Sequence, residues 1–409
     1  MNDSARDKST AALVRDAAVT ANRYQAKPPL AWHLGNLEAA ARRRLPRPIF
    51  EYIEGGSYGE ITCQANRTDL NALKLRQRVL NGAGAPIMQS TIAGQPARIP
   101  IGLGPIGFMG LCYPRAEIHA GRAAQNFGVP FCLSTFSISS LEEVAEALPD
   151  PFLFQLYLFK DQAVNRELIQ RAERARCSAL MLTLDTAVHA RRNRDCDNGL
   201  VIPLRARPQH ILEMLCKPRW TFGWLSSKRT LGNLARYGCG SSELSDCSSW
   251  VETNFKGVVH AADLEWVRER WRGKLVVKGI LDSEDARIAV KLGADGIVVS
   301  NHGGRQLDST ETPVRAFPAI RDAVGDKVEL LFDSGIRDGL DVLKALGLGA
   351  RACLLGRAYL YGLAAYGERG VSAVLQLIEQ ELDAAMALTG VEDAARVPRG
   401  VVTALTDVA

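Results

Sequence analysis

The chain has 409 residues, and its 47% hydrophobic content excludes a disordered chain and suffices for a substantial buried core. The net charge of +5 is concentrated, because residues 1–50 carry a net +5 and residues 201–240 a net +6. The remainder is therefore net acidic, which, with no nucleic-acid-binding motif in the sequence, argues against a nucleic-acid partner. The nine cysteines form no Cys-x-x-Cys pair, so neither a disulfide framework nor a metal site is predicted.

The chain ends bear on where the protein resides. Residues 1–30 lack the apolar core of a secretory signal, and apolar runs such as Pro151–Phe159 fall far short of the roughly 20 residues that span a bilayer. These patterns predict a cytoplasmic protein, either soluble or peripherally attached at the inner face of the membrane. Residues 1–35 are predicted to be a flexible or partly helical extension, 36–401 the main folded domain, and 402–409 a tail.

Eight short apolar runs alternate with helical patterns along residues 36–401. Because each run is apolar on both faces, the runs are typical of buried parallel strands. Eight such strands separated by helices predict an α/β protein with the (β/α)8 architecture of a TIM barrel. The predicted strands are Ile99–Leu103, Pro130–Leu133, Phe152–Leu156, Ala179–Leu184, Leu275–Val277, Gly296–Val299, Val328–Phe332 and Ala352–Leu355.

Helix signals occupy the segment before the barrel and the intervals between its strands. Helices are predicted at about Leu37–Leu45 and Ile49–Glu54. Ser140 with Glu143 has the pattern of a capping box, and Asp282 opens another helix in the same way. These helices account for the alternation that a barrel requires.

Polar or glycine-rich residues follow every predicted strand. Barrel active sites lie at the carboxyl ends of the strands, so these residues are expected to share one rim. Just after one strand, His302 and Arg305 combine a proton acceptor with a carboxylate-binding cation. The other strand ends supply Gly104–Gly107, Ser134–Phe136, Gln155, Tyr157, Thr183, Asp185, Lys278, Asp333–Gly335, Arg337, Gly356 and Arg357.

The last two strand ends indicate a site for a phosphate-bearing cofactor. Gly335 and Gly356 would let backbone N–H groups approach a phosphate, and barrels often bind phosphate after strands 7 and 8. Arg337 and Arg357 would add positive charge. The groups then available to a planar heterocycle above the phosphate are Ser134, Gln155, Thr183 and the cation of Lys278.

Together these residues resemble the FMN-dependent α-hydroxy-acid oxidase and dehydrogenase family, which includes bacterial L-lactate and mandelate dehydrogenases. The resemblance runs from about Leu37 to Val401. Its most specific segment is Ser-Asn-His-Gly-Gly-Arg-Gln-Leu-Asp at 300–308. The supporting segments are Phe154–Tyr157, Leu182–Asp185, Val276–Gly279 and Asp333–Arg337.

The resemblance implies a role for each matching residue. His302 would be the catalytic base, and Asp185 would stabilise its imidazolium form. The residues implied to bind or orient the substrate are Tyr52, Phe136, Tyr157, Arg192 and Arg305, with Tyr157 contacting the reacting oxygen. The residues implied to bind FMN are Pro105, Ile106, Gly107, Ser134, Gln155, Thr183, Lys278, Ser300, Asp333, Ser334, Gly335, Arg337, Gly356 and Arg357. The sequence is compatible with His302 taking either the hydroxyl proton or the α-proton.

Three positions bear on the substrate and the electron acceptor. Ile106 stands where many family members have threonine, so a side-chain contact to the flavin is absent while backbone contacts remain. Gly107 leaves space beside the flavin, as in members that act as dehydrogenases. Phe136 narrows the pocket and favours a small acid such as lactate, although its ring could instead stack on an aromatic substrate. The predicted acceptor is a quinone or another carrier, with oxygen as the alternative.

The interval between the fourth and fifth strands, about residues 186–274, is far longer than the others and predicts a lid, a binding loop or an interaction segment. It resembles the corresponding region of bacterial lactate and mandelate dehydrogenases, where it is associated with membranes. Basic charge accompanies the apolar residues Leu212, Met214, Leu215, Trp220, Phe222, Trp224 and Leu225, a combination that suits an anionic membrane surface. The alternative is a lid packed on the barrel. Family likeness further implies a homotetramer.

Two other functions compete with hydroxy-acid oxidation. A phosphate-binding barrel isomerase that uses FMN would share the fold, but Arg192, His302 and Arg305 suit a carboxylate substrate better. A barrel that binds flavin without redox activity is the non-enzymatic alternative.

Overall fold

The computed structural model describes residues 30–80, 84–199, 213–237 and 244–403. Its strands are β1 Lys74–Leu75, β2 Ser90–Ile92, β3 Gln95–Ala97, β4 Ile101–Leu103, β5 Cys132–Ser134, β6 Leu153–Leu156, β7 Ala179–Thr183, β8 Lys274–Ile280, β9 Gly296–Val299, β10 Glu329–Phe332, β11 Ala352–Leu355 and β12 Val402–Thr403. The strands β4 to β11 form one parallel eight-stranded sheet in which β4 also pairs with β11. A parallel bridge between Leu103 and Phe131 joins β4 to the start of β5. The predicted (β/α)8 barrel is confirmed.

The interior of the barrel is a packed core. Buried side chains from the barrel strands, including Met181, Val298 and Leu331, form one cluster with Ile92 from the β2–β3 hairpin. The hairpin lies at the amino-terminal end, because the backbone N–H of Ala93 donates to Glu329 at the start of β10 (2.7 Å). Apolar packing therefore fills this end of the barrel, and the polar strand ends lie at the opposite, carboxyl rim.

Helices surround the sheet, and their caps agree with the sequence patterns. Ser140 accepts a hydrogen bond from the backbone of Glu143 (3.2 Å) while Glu143 accepts one from the backbone of Ser140 (2.9 Å), so the predicted capping box is confirmed. Asp282 accepts from the backbone of Glu284 (2.7 Å) at the start of another helix. The helices that precede β7, the fourth strand of the barrel, are α1 Leu34–Arg44, α2 Arg47–Glu54, α3 Ile61–Ala72, α4 Ala116–Phe127, α5 Leu141–Ala147 and α6 Gln162–Arg174. Those after it are α7 Asn193–Asp197, α8 Pro218–Leu225, α9 Leu244–Asn254, α10 Ala261–Arg270, α11 Ser283–Lys291, α12 Pro313–Val324, α13 Gly339–Leu348, α14 Arg357–Tyr366 and α15 Glu368–Thr389.

The two ends of the chain differ in detail from the sequence-based boundaries. Helix α1 begins at Leu34, inside the segment predicted as an extension, whereas residues 1–29 lie outside the described residues. At the other end, the first two residues of the predicted tail form β12, which pairs with β1. Helix α3 was not predicted. It lies on the carboxyl rim, where the backbone of Thr62 donates to Asp308 in the loop after β9 (2.9 Å).

The long segment between β7 and β8 packs over the carboxyl rim. Its buried Asn233 donates to the backbone carbonyl of Ser134 at the end of β5 (3.2 Å) and accepts from the backbone of Leu141 (2.7 Å). Trp220, expected at a membrane surface, is buried instead, and its indole N–H donates to the carbonyl of Leu111 (2.7 Å). Leu212 lies outside the described residues. None of the described helices combines the length and apolar character needed to cross a bilayer.

Candidate active site

One cavity at the carboxyl rim brings the predicted site residues together. It is lined by every predicted residue except Asp185 and Ser300, which lie directly behind the lining and hydrogen-bond to residues in it. The lining comes from the ends of all eight barrel strands, from α2 and from the β7–β8 segment. The geometry is therefore that of a single site in which a cofactor and a substrate can meet.

His302 and Asp185 form the most direct contact between two predicted catalytic groups. The imidazole Nδ1 lies 2.9 Å from Asp185 Oδ1, and Gln306 donates to the backbone carbonyl of Asp185 (2.8 Å). Gly279 makes this approach feasible, because a Cβ there would lie 2.4 Å from the Asp185 carboxyl carbon. With Nδ1 engaged, Nε2 is the ring nitrogen that His302 has available for a substrate.

The backbone of the His302 loop is held by hydroxyl groups. His302 has a left-handed backbone conformation (φ 59°), which is unfavourable for a residue with a Cβ. Its N–H donates to Ser300 Oγ (3.0 Å), and the N–H of Gly303 donates to Ser334 Oγ (3.0 Å). The surrounding hydrogen bonds thus impose the conformation that directs the imidazole toward Asp185.

Two arginines lie beside Tyr52. The guanidinium carbon of Arg305 is 4.9 Å from the ring centroid of Tyr52, and that of Arg192 is 6.0 Å away. Arg305 donates to the backbone carbonyls of Tyr52 and Gly55 (both 2.7 Å), which fixes its position. Burial and the like charge of Arg192 lower the pKa of Arg305 to about 9. A carboxylate placed between the two guanidinium groups would relieve this repulsion.

Asp195 is a site residue that the sequence-based prediction missed. It lies on α7, three residues after Arg192, and its Oδ2 is 3.5 Å from Arg192 Nη1. Burial raises its pKa, which the nearby guanidinium groups oppose. The i, i+3 spacing was visible in the sequence and could have indicated this ion pair.

Lys278 lies in a buried polar network. Its Nζ is 2.7 Å from Asp333 Oδ2 and 2.9 Å from Ser300 Oγ. Burial alone would lower the pKa of Lys278, but the carboxylates of Asp333 and Asp185 outweigh it and raise the pKa. The ammonium group is therefore charged at neutral pH and lies on the cavity wall.

Three neighbouring strands end in a chain of side-chain hydrogen bonds. Ser134 on β5 donates to Gln155 on β6 (3.0 Å), and Gln155 donates to Thr183 on β7 (3.0 Å). All three side chains are buried and line the cavity. They form a polar strip suited to the donors and acceptors of a planar heterocycle.

The phosphate end of the predicted cofactor site is built from glycines and a helix start. Gly335 has a φ of 108°, and α14 begins directly after Gly356. An added Cβ at Gly356 would meet no atom within 4 Å, so the cavity is open there. The N-terminus of α14 thus presents backbone N–H groups to this part of the cavity. Arg357 also lines it, but its guanidinium donates to the carbonyls of Ile53, Gly55 and Gly303 (2.9 Å each).

These features fit FMN. The polar strip, the Lys278 cation and the open helix start are arranged around one cavity, as a ring, a charge partner and a phosphate require. Two cavity-lining side chains, Arg192 and Asp195, each have a buried polar atom with no hydrogen-bond partner among the described residues. Such atoms indicate a polar molecule in the cavity.

An aromatic wall encloses the remaining side of the cavity. Phe136 lies 4.8 Å from Tyr157 and 6.0 Å from Phe255 between ring centroids, and His189 stacks on Phe255 at 5.0 Å. Burial and the charge of Arg192 lower the pKa of His189. Phe255 and His189 belong to the β7–β8 segment and were not predicted, since the sequence allows this segment to be a lid but does not indicate which of its residues face the cavity.

Comparison with known proteins agrees with this geometry. The sequence profile of the family described as FMN-dependent dehydrogenase matches residues 41–404. The L-lactate dehydrogenase of Caulobacter vibrioides strain NA1000 is 46% identical over 360 residues, covering 88% of this chain and 94% of the relative. That of Pseudomonas aeruginosa strain LESB58 is 47% identical over 354 residues, covering 86% and 93%.

Solved structures give the same assignment. The monotopic membrane protein (S)-mandelate dehydrogenase superimposes with a TM-score of 0.87 at 32% identity, covering 91% of this chain and 99% of that one. Mandelate oxidase superimposes with a TM-score of 0.78 at 36% identity, covering 91% and 98%. The predicted family and its cofactor, FMN, are confirmed: the chain belongs to the FMN-dependent dehydrogenase family.

Proposed function

We propose that this enzyme oxidises a small L-2-hydroxy acid of the lactate type to the 2-oxo acid. The observation that carries the proposal is the His302–Asp185 pair (2.9 Å) in a cavity that also contains two arginines. A base suits the hydroxyl-bearing carbon of a 2-hydroxy acid, and the two arginines suit its carboxylate. The identity of 46–47% to L-lactate dehydrogenases supports lactate as the first substrate to test.

Arg192 and Arg305 bind the substrate carboxylate in this proposal. Arg305 is fixed by two backbone carbonyls and carries its positive charge below about pH 9. Tyr52 lies against both guanidinium groups, and burial raises the pKa of its phenol, so it is a neutral hydrogen-bond donor. Together the three groups hold the carboxylate and so orient the α-carbon.

His302 acts as the base. Its Nε2 accepts a substrate proton, from the hydroxyl or from the α-carbon, and the carboxylate of Asp185 stabilises the imidazolium that results. Burial raises the pKa of Tyr157, so its hydroxyl stays protonated and donates a hydrogen bond to the substrate oxygen. FMN, when bound, accepts the two electrons that the substrate gives up.

The FMN-binding residues in this proposal divide into three groups by position. The ring would be held by Ser134, Gln155, Thr183 and the backbone of Pro105, Ile106 and Gly107. The charge partner would be Lys278, itself held by Ser300 and Asp333. The phosphate would be held by Ser334, Gly335, Arg337 and Gly356, with Arg357 at the start of α14.

A mandelate-type substrate is the second candidate. The rings of Phe136, Tyr157 and Phe255 form a continuous wall that could stack on a phenyl group. The same rings reduce the space for a bulky side chain. The likeness to mandelate dehydrogenase and oxidase structures supports testing this alternative directly.

The electron acceptor in this proposal is a membrane quinone, reached from the cytoplasmic side. Around α8, Leu215, Phe222 and Leu225 expose 72%, 74% and 51% of their surfaces, next to basic residues such as Arg219 and Arg229. This combination suits peripheral contact with an anionic bilayer. The description of the similar mandelate dehydrogenase as a monotopic membrane protein is consistent with it. A homotetramer is the proposed assembly.

The test is anaerobic bleaching of the FMN absorbance of the purified holoenzyme by L-lactate, glycolate and L-mandelate, with D-lactate as the stereochemical control. We expect L-lactate to bleach the flavin fastest and D-lactate to leave it oxidised. Bleaching by L-mandelate alone would favour the second candidate, and no bleaching by any acid would refute hydroxy-acid oxidation. Readmitting air or a soluble quinone then identifies the acceptor, since slow recolouring in air with fast recolouring by quinone indicates a dehydrogenase.

A further inference from the structure

A pair of buried amides connects α3 to the loop that carries His302. Asn66 donates to Asn301 Oδ1 (2.9 Å), and Asn301 donates back to Asn66 Oδ1 (2.7 Å). The two residues expose only 2% and 4% of their surfaces. A reciprocal amide pair of this kind is satisfied only in one relative orientation, so it fixes the loop against the helix.

The remaining side-chain hydrogen bonds of Asn301 stay inside the same loop. Its Oδ1 also accepts from the backbone N–H of Gly304 (3.1 Å), and its Nδ2 also donates to the carbonyl of Glu311 (3.2 Å). The Gly304 donor identifies which end of the amide is the oxygen. The Asn301 amide therefore cannot turn over to find new partners if the Asn66 side chain is removed. It would be left buried, with one donor and one acceptor position unpaired.

The residue next to Asn301 is His302, which holds the left-handed conformation noted above (φ 59°). Such a conformation persists only where the surroundings enforce it. Ser300 and Ser334 accept hydrogen bonds from three loop N–H groups, those of Asn301, His302 and Gly303, on the barrel side, while Asn66 contacts the loop from outside. Asn66 is thus one of the contacts through which elements outside the barrel strands constrain this loop, together with Ser57, which donates to the carbonyl of Gly304, and Arg357, which donates to that of Gly303.

The same helix turn also reaches the phosphate end of the cofactor site. Arg67 donates to the carbonyl of Gly335 (2.5 Å) and pairs with Asp341. The carbonyl oxygen of Asn66 lies 3.0 Å from the point where a Cβ of Gly335 would stand, so helix and turn are in close contact. One turn of α3 therefore contacts both the His302 loop and the predicted phosphate turn.

We propose that Asn66 is a positioning residue for His302: through Asn301 it holds the backbone conformation that directs the imidazole toward Asp185 and the substrate. Asn66 does not touch the substrate and acts only through the loop. This inference rests on the proposed role of His302 as the base. Loss of the Asn66 side chain would misplace the base while leaving Arg305, which is held by the carbonyls of Tyr52 and Gly55, in position.

The expected result for Asn66→Ala is a fall in the anaerobic FMN reduction rate, at saturating L-lactate, of about 10- to 100-fold, because misplacing a catalytic group by about 1 Å has effects of that size. The lactate dissociation constant, from the concentration dependence of the rate, should change less than about threefold. The FMN dissociation constant, from flavin fluorescence, should also change less than about threefold. Gln64→Ala, at an exposed position on the same helix, is the matched control and should behave as the wild type.

A double-mutant cycle separates positioning from general structural damage. In a His302→Ala background, Asn66→Ala should cause no further loss of reduction rate, because there is no imidazole left to misplace. The inference would be overturned if Asn66→Ala slowed reduction in the His302→Ala background by the same factor as in the wild type. It would also be overturned if Asn66→Ala alone reduced FMN at a rate within twofold of wild type. If Asn66→Ala fails to retain FMN, the same cycle is run with Asn66→Ser, which keeps a hydrogen-bonding group.

The outcome is distinguishable from failure of the proposed function. If no hydroxy acid reduces the wild type, the function is wrong and the cycle has no rate to compare. If L-lactate reduces the wild type and His302→Ala is slow, the base assignment stands. The behaviour of Asn66→Ala then decides the positioning role alone.

Discussion

The imidazole of His302 and the carboxylate of Asp185 meet at 2.9 Å, and the absence of a side chain at Gly279 makes room for the contact. The two residues come from different strand ends, β9 and β7, on either side of β8. The relationship fixes the tautomer of the histidine, because Nδ1 donates to the carboxylate and Nε2 remains the acceptor.

Asp185→Asn tests this relationship. The amide is nearly the same size, but it carries no negative charge to stabilise an imidazolium and can present an N–H to Nδ1, which favours the wrong tautomer. We expect the FMN reduction rate by L-lactate to fall by about 10²- to 10⁴-fold, as with comparable His-carboxylate pairs. Stopped-flow absorbance of the anaerobic holoenzyme measures it. A rate within threefold of wild type would mean that Asp185 does not support the base.

The pKa of Arg305 predicts an alkaline limit on substrate binding. Burial and the charge of Arg192 lower that pKa to about 9, so Arg305 carries its charge below pH 9 and loses it above. The dissociation constant of a non-reacting carboxylate such as oxalate should therefore rise about tenfold between pH 8 and pH 10. Flavin absorbance changes on oxalate binding provide the measurement.

Arg192→Gln provides the control for that pH dependence. It removes the neighbouring positive charge that lowers the pKa of Arg305, so the rise in the oxalate dissociation constant should move to higher pH, although binding is weaker at every pH. Binding that is independent of pH in both proteins would contradict the account of the two-arginine site.

Lys278→Met should destabilise the protein, because it leaves the Asp333 carboxylate, whose side chain is only 16% exposed, without its cation. Removing one partner of a buried pair costs about 3–5 kcal/mol of unfolding free energy. The double variant Lys278→Met with Asp333→Asn should recover part of this loss. Denaturant unfolding measures both, with Lys274→Met, at the exposed start of β8, as the control. Equal unfolding free energies for Lys278→Met and the control would contradict the ion pair.

Phe222→Glu tests the proposed membrane contact. Phe222 exposes 74% of its surface on α8, and burial of such a side chain in a bilayer contributes about 1.5–3 kcal/mol. Cosedimentation with vesicles of anionic phospholipid should therefore fall by at least about tenfold. Leu388→Glu, on a leucine exposed by 59% on α15, is the matched control and should bind as the wild type. Equal binding by all three proteins would refute contact through α8.

The barrel was predictable because its signal is local. Strands such as Gly296–Val299 and Ala352–Leu355 are short, wholly apolar runs, and their observed bounds equal the predicted ones. The carboxyl-rim rule then gathered residues as far apart in sequence as Ser134, His302 and Arg357 into one cavity without any knowledge of contacts. The resemblance to a known family added the roles that the rule alone leaves open.

The elements outside the barrel were less predictable, because their positions depend on long-range packing. Asn66 and Phe255 are ordinary residues in the sequence, and only the folding of α3 and the β7–β8 segment over the rim brings them to the site. The prediction for Trp220 was wrong for the same reason. Its local context of basic and apolar residues indicated a position at a membrane surface, whereas its indole is buried against Leu111.

The most direct test of the whole account is anaerobic FMN reduction by L-lactate in His302→Ala compared with the wild type. The account predicts that the variant binds FMN normally, since none of the proposed FMN contacts uses the imidazole, and that its reduction is slower by several orders of magnitude. Near-normal reduction by an FMN-loaded His302→Ala would contradict the assignment of His302 as the base and, with it, the proposed mechanism.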